Sequence, residues 1–482
     1  MDTLYLIYPK KIGTIAPEIY GHFSEHIGGV FYDGLWVGKD SDVPNINGFR
    51  KELVEKLKAI EPPVLRWPGG CFAETYDWRD GIGEDRPTRP NWWTPYDHRY
   101  ESNEVGTHEF IELCELIGAK AYFAANLTSV NPMHIRNWMD YCLSPRGTTT
   151  LAKEREKNGH PEPFDIPYWG VGNENWGGGG NMTPEYYANE YRRFATIMRN
   201  LSPMQMFACG SDAFDYSWTD GFCRNLTMAS KNVMGRLVDG FAMHYYCGKA
   251  GDPLTFTEEE WDQMMVQAGK MEDIIERNWH IISAYGLESN MKLVIDEWGC
   301  WHPDGSGPSK GYNLFEQQST MRDAVVSALT LNIFNRHCEK IRMANVAQLV
   351  NNLHALFLAS GEHCIVTPTY HIFDMYKGHK GAEAIDAVFA ADDGRLSVSA
   401  STKDGKTLVT IANLTYDEDI EIVLSAVGGA APEKGMMRVL AAADPHAHNT
   451  FGEPEAVKPV AAEVDLTKAV KVPAAGVVAV EF

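Results

Sequence analysis

Apolar positions change their spacing along this chain. Between residues 19 and 376, short apolar runs alternate with stretches in which apolar residues recur every three or four positions. That is the alternation of buried strands with amphipathic helices that builds a parallel sheet wrapped by helices. Eight strand-like runs follow in order: Ile19 to Phe23, Val64 to Gly70, Ala121 to Asn126, a run closing at Asn173-Glu174, Gln205 to Cys209, Gly240 to Tyr246, Leu293 to Glu297 and Met343 to Gln348. Between them, Phe49, Leu53, Val54, Leu57 and Ile60 mark one face of a helix that Pro62-Pro63 ends. Thr183 and Pro184 suit the cap and first position of another, with Tyr187, Tyr191, Phe194, Met198 and Leu201 along one side. About eight such units predict an α/β fold, a parallel barrel or a doubly wound sheet, and the expected architecture is a (β/α)8 TIM barrel over residues 19–376.

After about residue 376 the period shortens to two, as in Leu396-Ser397-Val398-Ser399, Leu408-Val409-Thr410-Ile411 and Glu421-Ile422-Val423-Leu424, with Asp404-Gly405 as a turn. These runs predict a C-terminal β-sandwich, jelly-roll-like. Leu4 to Tyr8 also reads as a strand, so residues 1–18 and 377–482 are expected to form one domain.

Two barrel runs end alike. Tyr168-Trp169-Gly170-Val171-Gly172-Asn173-Glu174-Asn175-Trp176 and Leu293-Val294-Ile295-Asp296-Glu297-Trp298-Gly299 each deliver acid, aromatic and glycine to what is expected to be the rim. A pair of carboxylates from two strand ends is what glycoside hydrolysis needs, one to protonate the leaving oxygen and one to attack or to position water. Glu174 and Glu297 are therefore the candidate catalytic pair, against the blander reading of each as a solvated strand end.

Composition narrows the partner. A formal charge of −22 argues against nucleic-acid or anionic-membrane surfaces, which need a basic footprint, and favours a neutral substrate. No apolar run reaches the roughly 18 residues of a membrane span. Met1 to Leu6 lack a basic region followed by an apolar one, so a cytoplasmic protein is expected. Nine cysteines without a C-x-x-C pair read as reduced thiols. The many Trp and Tyr rings suit sugar faces, although most large aromatics simply fill cores.

Three further patterns have weaker claims. Gly177 to Gly180 lacks the Lys-Ser/Thr of a phosphate-binding loop and reads as a flexible loop beside the cleft. His22-Phe23-Ser24-Glu25-His26 formally matches H-x-x-E-H, but it follows a strand and runs into Gly28-Gly29, leaving little room for a zinc-binding helix. No metal or cofactor is expected. Cys71 reads as a buried rim thiol with no activating base, and His244 as core, catalytic orienter, or both.

With these residues in view, the chain resembles the α-L-arabinofuranosidases of glycoside hydrolase family 51, in the clan of retaining (β/α)8-barrel glycosidases. The resemblance runs nearly end to end. It rests on Ile19 to His26, Arg66-Trp67-Pro68-Gly69-Gly70-Cys71-Phe72, Gly172 to Trp176, Asp296-Glu297-Trp298, Asn345 to Asn351 and Asp444 to Thr450. It implies that Glu174 is the general acid/base and Glu297 the nucleophile. Glu25, Cys71, Asn173 and Gln348 would hydrogen-bond furanose hydroxyls, with His244 and Trp298 in the same substrate-binding set. Tyr246 would steady the nucleophile and Arg66 support it electrostatically. The implied activity is a retaining, exo-acting α-L-arabinofuranosidase on arabinan, arabinoxylan or their oligosaccharides, working as a homo-oligomer. Two alternatives stand beside it: an endo-β-glucanase or xylan-acting enzyme of the same fold, and a non-catalytic carbohydrate-binding barrel. The chain departs from the family at Leu127-Thr128-Ser129, where a Gly-Thr-Arg-Gly-like turn is usual, and at Trp92-Trp93 and the four-glycine run. Those departures bear on the aglycone side.

Overall fold

In the computed structural model, which describes residues 2–199, 204–228, 237–391 and 393–482, eight parallel strands close into a barrel. In order they are Gly21–Phe23, Val64–Trp67, Lys120–Ala125, Tyr168–Val171, Gln205–Asp212, Gly240–Gly248, Lys292–Trp301 and Ile341–Val346. The eighth closes on the first through Asn345 with Gly21 and Val346 with His22. The first strand is shorter than the apolar run that marks it. Pro17 presets φ for a helical turn, so Ile19 and Tyr20 fall in the 3-10 turn Pro17–Tyr20. Inside the barrel, Val64, Tyr122, Tyr168, Phe207, Ala242, Val294 and Met343 pack together, one from each of the second to eighth strands. The barrel is thus filled by side chains below the rim, and any site must lie above them.

The seventh strand carries the irregularity that matters most for the site. Against the sixth strand its register slips between Ala242/Val294 and His244/Glu297, and against the eighth between Ile295/Ala344 and Trp298/Val346. Both slips place one extra residue on the seventh strand, which defines a bulge around Asp296 and Glu297. A regular strand would send consecutive side chains to opposite faces; a bulge re-aims one of them. Here Asp296 and Glu297 both reach Arg66.

The helices follow the apolar spacing. Lys51–Ile60 buries Leu53, Val54, Leu57 and Ile60, while Phe49 lies just before it in a two-residue strand. Pro184–Met198 is capped by Thr183, whose side chain accepts from the Tyr186 N–H, and buries Tyr187, Tyr191, Phe194 and Met198. Leu201 lies outside the described residues. Met321–Arg336 is buried along nearly its whole surface because it lies between barrel and C-terminal sheet. Its Asn332 and Asn335 amides donate to Ser397 O and Ser399 Oγ, each at 3.0 Å.

That sheet has nine strands. Asp2–Thr14 lies inside it, antiparallel to Glu383–Phe389 and parallel to Ile420–Val427. The sheet has an apolar core of its own, including Leu4, Leu6, Ile385, Ile411, Ile422, Val470, Val478 and Val480.

Candidate active site

At the C-terminal ends of the barrel strands lies a small open cavity. Glu25, Cys71, Asn173, Glu174, Tyr246, Glu297 and Gln348 all line it, from six different strand ends. Gly70 lies so close that a Cβ there would stand 2.8 Å from Glu297 Oε1, so glycine is what lets the backbone approach the carboxylate.

Glu297 is held from two sides: Arg66 Nη1 donates to its Oε1 and Tyr246 Oη to its Oε2, both at 2.8 Å. The other amino nitrogen of Arg66 donates to Asn173 Oδ1 at 2.7 Å, and its Nε lies 3.3 Å from Asp296 Oδ2. Arg66 is only 1% exposed. Burial opposes its charge, but Asp296 and Glu297 outweigh that and raise its pKa. Burial alone would raise the Asp296 carboxyl; Arg66 and His244 instead hold it below the ordinary carboxylate range.

His244 links the carboxylates. Its Nδ1 lies 2.9 Å from Glu174 Oε1 and 3.4 Å from Glu297 Oε2, and its Nε2 lies 3.1 Å from Asp296 Oδ1. Burial disfavours its charged form, yet Glu297, Asp296 and Glu174 raise its pKa well above the ordinary value. With a carboxylate facing each ring nitrogen, the imidazolium is the form that satisfies both. One oxygen of Glu174 and one of Glu297 also lie within 4.8 Å of each other.

Glu25 forms another wall of the cavity. Its Oε1 accepts from the Phe72 N–H and from Trp93 Nε1, each at 3.0 Å, and its Oε2 from Gln348 Nε2 at 3.2 Å. Burial and then the Glu297 charge push it up to about 7. The Cys71 thiol lies 3.8 Å from Glu174 Oε2. Burial, followed by the surrounding glutamates, pushes its pKa far up, so it is a thiol and not a thiolate.

Trp298 is not brought to this cavity. One residue beyond Glu297 its side chain points outward, where it is 1% exposed and packs on Phe334 and Phe373 of the surrounding helices. The cavity's aromatic lining comes instead from Trp93, Tyr246, Trp301 and Phe315, of which the sequence marked Trp93 and Tyr246. Asp296 was visible only as the neighbour of Glu297, because alternation would turn it away. The four-glycine run is not loose: Gly177 and Gly179 N–H donate to Glu174 O at 2.8 and 3.0 Å. A Cβ at Gly179 would fall 1.6 Å from Asn173 O.

Among the described residues, two clusters place metal-type ligands together. One is the Glu174, His244 and Glu297 group just described, and the other is Cys300, His302 and Asp323. In the second, His302 Nε2 is 2.8 Å from Asp323 Oδ1, and Arg322 Nη2 is 3.4 Å from His302 Nδ1. Hydrogen bonds and a guanidinium account for this group, which ties the segment after the seventh strand to a helix cap. His22 and His26 share no face: His22 packs on Phe373, while His26 stacks on Phe31 and Phe72 and accepts from Trp67 Nε1.

Comparison with known proteins agrees with this geometry. Family profiles described as the α-L-arabinofuranosidase 1 domain and the α-L-arabinofuranosidase C-terminal domain match residues 56–264 and 296–475. An intracellular exo-α-L-arabinofuranosidase of Bacteroides ovatus is 37% identical, over 97% of this chain and 93% of that one. The crystal structure of the family 51 arabinofuranosidase of Xanthomonas axonopodis pv. citri superposes with a TM-score of 0.92 at 35% identity, covering both chains fully. The α-L-arabinofuranosidase of Thermotoga maritima in complex with arabinose superposes with a TM-score of 0.88 at 25% identity, also over the whole of both chains. The chain belongs to the α-L-arabinofuranosidases of glycoside hydrolase family 51.

Proposed function

We propose that the protein is a retaining, exo-acting α-L-arabinofuranosidase that releases terminal arabinofuranose from arabinan, arabinoxylan and their oligosaccharides by double displacement. The observation that carries this reading is the Glu174 and Glu297 pair, with oxygens within 4.8 Å and different partners. Retaining glycosidases place the two carboxyl groups about 5 to 5.5 Å apart, whereas inverting enzymes need roughly 6.5 to 9.5 Å to admit a water.

Glu297 is the nucleophile. Two donors hold it as an anion, and its oxygen attacks the anomeric carbon while the glycosidic bond breaks. Glu174, which Arg66 does not reach, gives its proton to the departing oxygen. The charge on Glu297 then disappears into the glycosyl ester, and Glu174, now ionised, takes a proton from water as the hydroxide displaces Glu297 and restores it. Arg66 and Tyr246 support Glu297, and His244 fixes both carboxylates from the other side. Glu25, Cys71, Asn173 and Gln348 hold the furanose hydroxyls, and Trp93, Trp301 and Phe315 face the group beyond it.

The rest of the reading is coarser in support. The chain divides into a catalytic domain over 19–376 and a second over 1–18 with 377–482, which the pairing of Asp2–Thr14 with the C-terminal strands supports. Among the described residues no helix is long and apolar enough to cross a membrane. A cytoplasmic site of action takes its support from the Bacteroides ovatus relative, whose name includes intracellular. The homo-oligomer rests on the family resemblance. The endo-glucanase or xylanase alternative is not favoured, and neither is the non-catalytic barrel.

The test is hydrolysis of an aryl α-L-arabinofuranoside together with the product profile on arabinan and arabinoxylan. Release of arabinose alone supports the reading; release of internal oligosaccharides, or no hydrolysis, rejects it. Glu174→Ala should keep turnover on activated aryl substrates and be accelerated by azide, while Glu297→Ala should be inactive without either benefit.

A further inference from the structure

Behind the cavity lies a carboxylate that the mechanism does not use. Glu74 sits on the 3-10 helix Cys71–Thr75, 1% exposed, and its bonds go to N–H groups. Its Oε1 accepts from the Asn173 N–H at 2.7 Å and from Asn175 Nδ2 at 2.9 Å. Its Oε2 accepts from the Leu127 and Thr128 N–H groups, both at 2.8 Å. One buried side chain therefore ties together two segments: the residues on either side of Glu174, and the loop after the third barrel strand.

Glu174 needs such a tie. Its φ is 43°, in the left-handed region, and Gly172 two residues earlier has φ 86°. A non-glycine residue there is strained, so the corner persists only if its surroundings hold it. Asn175 Nδ2 also donates to Gly179 O at 2.6 Å, extending the tie to the glycine turn that wraps the Glu174 carbonyl. An ion buried without a counter-charge is costly to keep, and burial raises the Glu74 pKa against the hydrogen bonds it accepts.

We propose that Glu74 is a positioning residue for Glu174: its carboxylate locks the Asn173-Glu174-Asn175 corner to the Leu127-Thr128 loop and so aims the proton donor at the glycosidic oxygen. This rests on Glu174 being the acid/base. In Glu74→Gln the amide offers one acceptor oxygen, and its NH2 faces a pair of N–H groups, so one half of the tie fails. A misaimed acid hurts only substrates that need protonation, whereas a general loosening of the fold hurts all of them.

The experiment measures kcat/KM, which reports the first displacement, across aryl and alkyl α-L-arabinofuranosides of rising leaving-group basicity. For Glu74→Gln, the 2,4-dinitrophenyl substrate should stay within about threefold of the parent, while substrates with alkyl or sugar leaving groups fall about 10- to 100-fold. Asn175→Ala removes one of the four donors and should show the same slope more weakly, which keeps the test available if the Glu74 variant does not fold. Equal losses for every leaving group in a variant of parental melting temperature, or no loss for any, overturn the proposal. Glu174→Ala, run in parallel, separates the two ideas. If it shows leaving-group dependence and azide rescue while Glu74→Gln is flat, only the role of Glu74 falls; if it shows neither, the acid/base reading falls and this proposal with it.

Discussion

Replacing Arg66 with Met asks how much the buried charge network contributes. Met keeps apolar volume but removes the 2.8 Å bond to Glu297, the 2.7 Å bond to Asn173 and the 3.3 Å approach to Asp296. All three carboxylate and amide partners are buried. Removing one member of a buried ion pair leaves the other uncompensated and costs about 3–5 kcal/mol, far more than the roughly 0–1 kcal/mol of an exposed pair. The loss should depend on pH. In the parent, the depressed Asp296 contributes stability above its unfolded value of about 3.9, lost as pH falls through its folded value. In the variant, burial is opposed only by His244 and Tyr122, so that carboxyl is raised relative to the parent and the variant loses less stability as pH falls. The gap between parent and variant is therefore widest near pH 7 and narrower at pH 4.5. Thermal unfolding by calorimetry at both pH values measures it, beside kcat/KM, which should collapse because Glu297 loses its cation. An equal melting shift at the two pH values, or none at pH 7, would refute the electrostatic account.

Two shorter predictions probe the neighbours. Tyr246→Phe deletes one hydrogen bond to an ionised group, about 1.5–3 kcal/mol, so kcat/KM should fall about 10- to 150-fold with the fold intact; a change under threefold would contradict the support assigned to Tyr246. Glu25, raised to about 7, holds a proton in the folded state that the unfolded chain releases near 4.3, so parent stability declines as pH rises through that window. Glu25→Gln cannot titrate, and its melting temperature relative to the parent should improve between pH 5 and pH 8; a constant difference would count against the raised value.

Much of this molecule was legible in its residues, for identifiable reasons. Strand runs that end in acid and glycine exposed the rim and the pair Glu174 and Glu297, while Arg66 and Tyr246 were assigned there only through the family resemblance. What stayed hidden depends on backbone irregularity. The bulge in Lys292–Trp301 turns Asp296 inward beside Glu297, against a period of two, whereas Trp298 turns outward as alternation from Glu297 requires. The four glycines read as slack, yet the turn is close-packed because no Cβ fits at Gly179. Glu74 carries no spacing signal at all, since its partners are three backbone N–H groups and the Asn175 amide, all far away in sequence.

The central claim is that Glu297 forms a bond to the sugar and Glu174 then frees it. Hydrolysis of 4-nitrophenyl α-L-arabinofuranoside in the presence of methanol, followed by proton NMR from the first turnovers, tests it most directly. Two successive displacements predict methyl α-L-arabinofuranoside, with configuration retained. Methyl β-L-arabinofuranoside, or inverted arabinose as the first product, would mean that water or methanol attacks directly and that Glu297 is not a nucleophile.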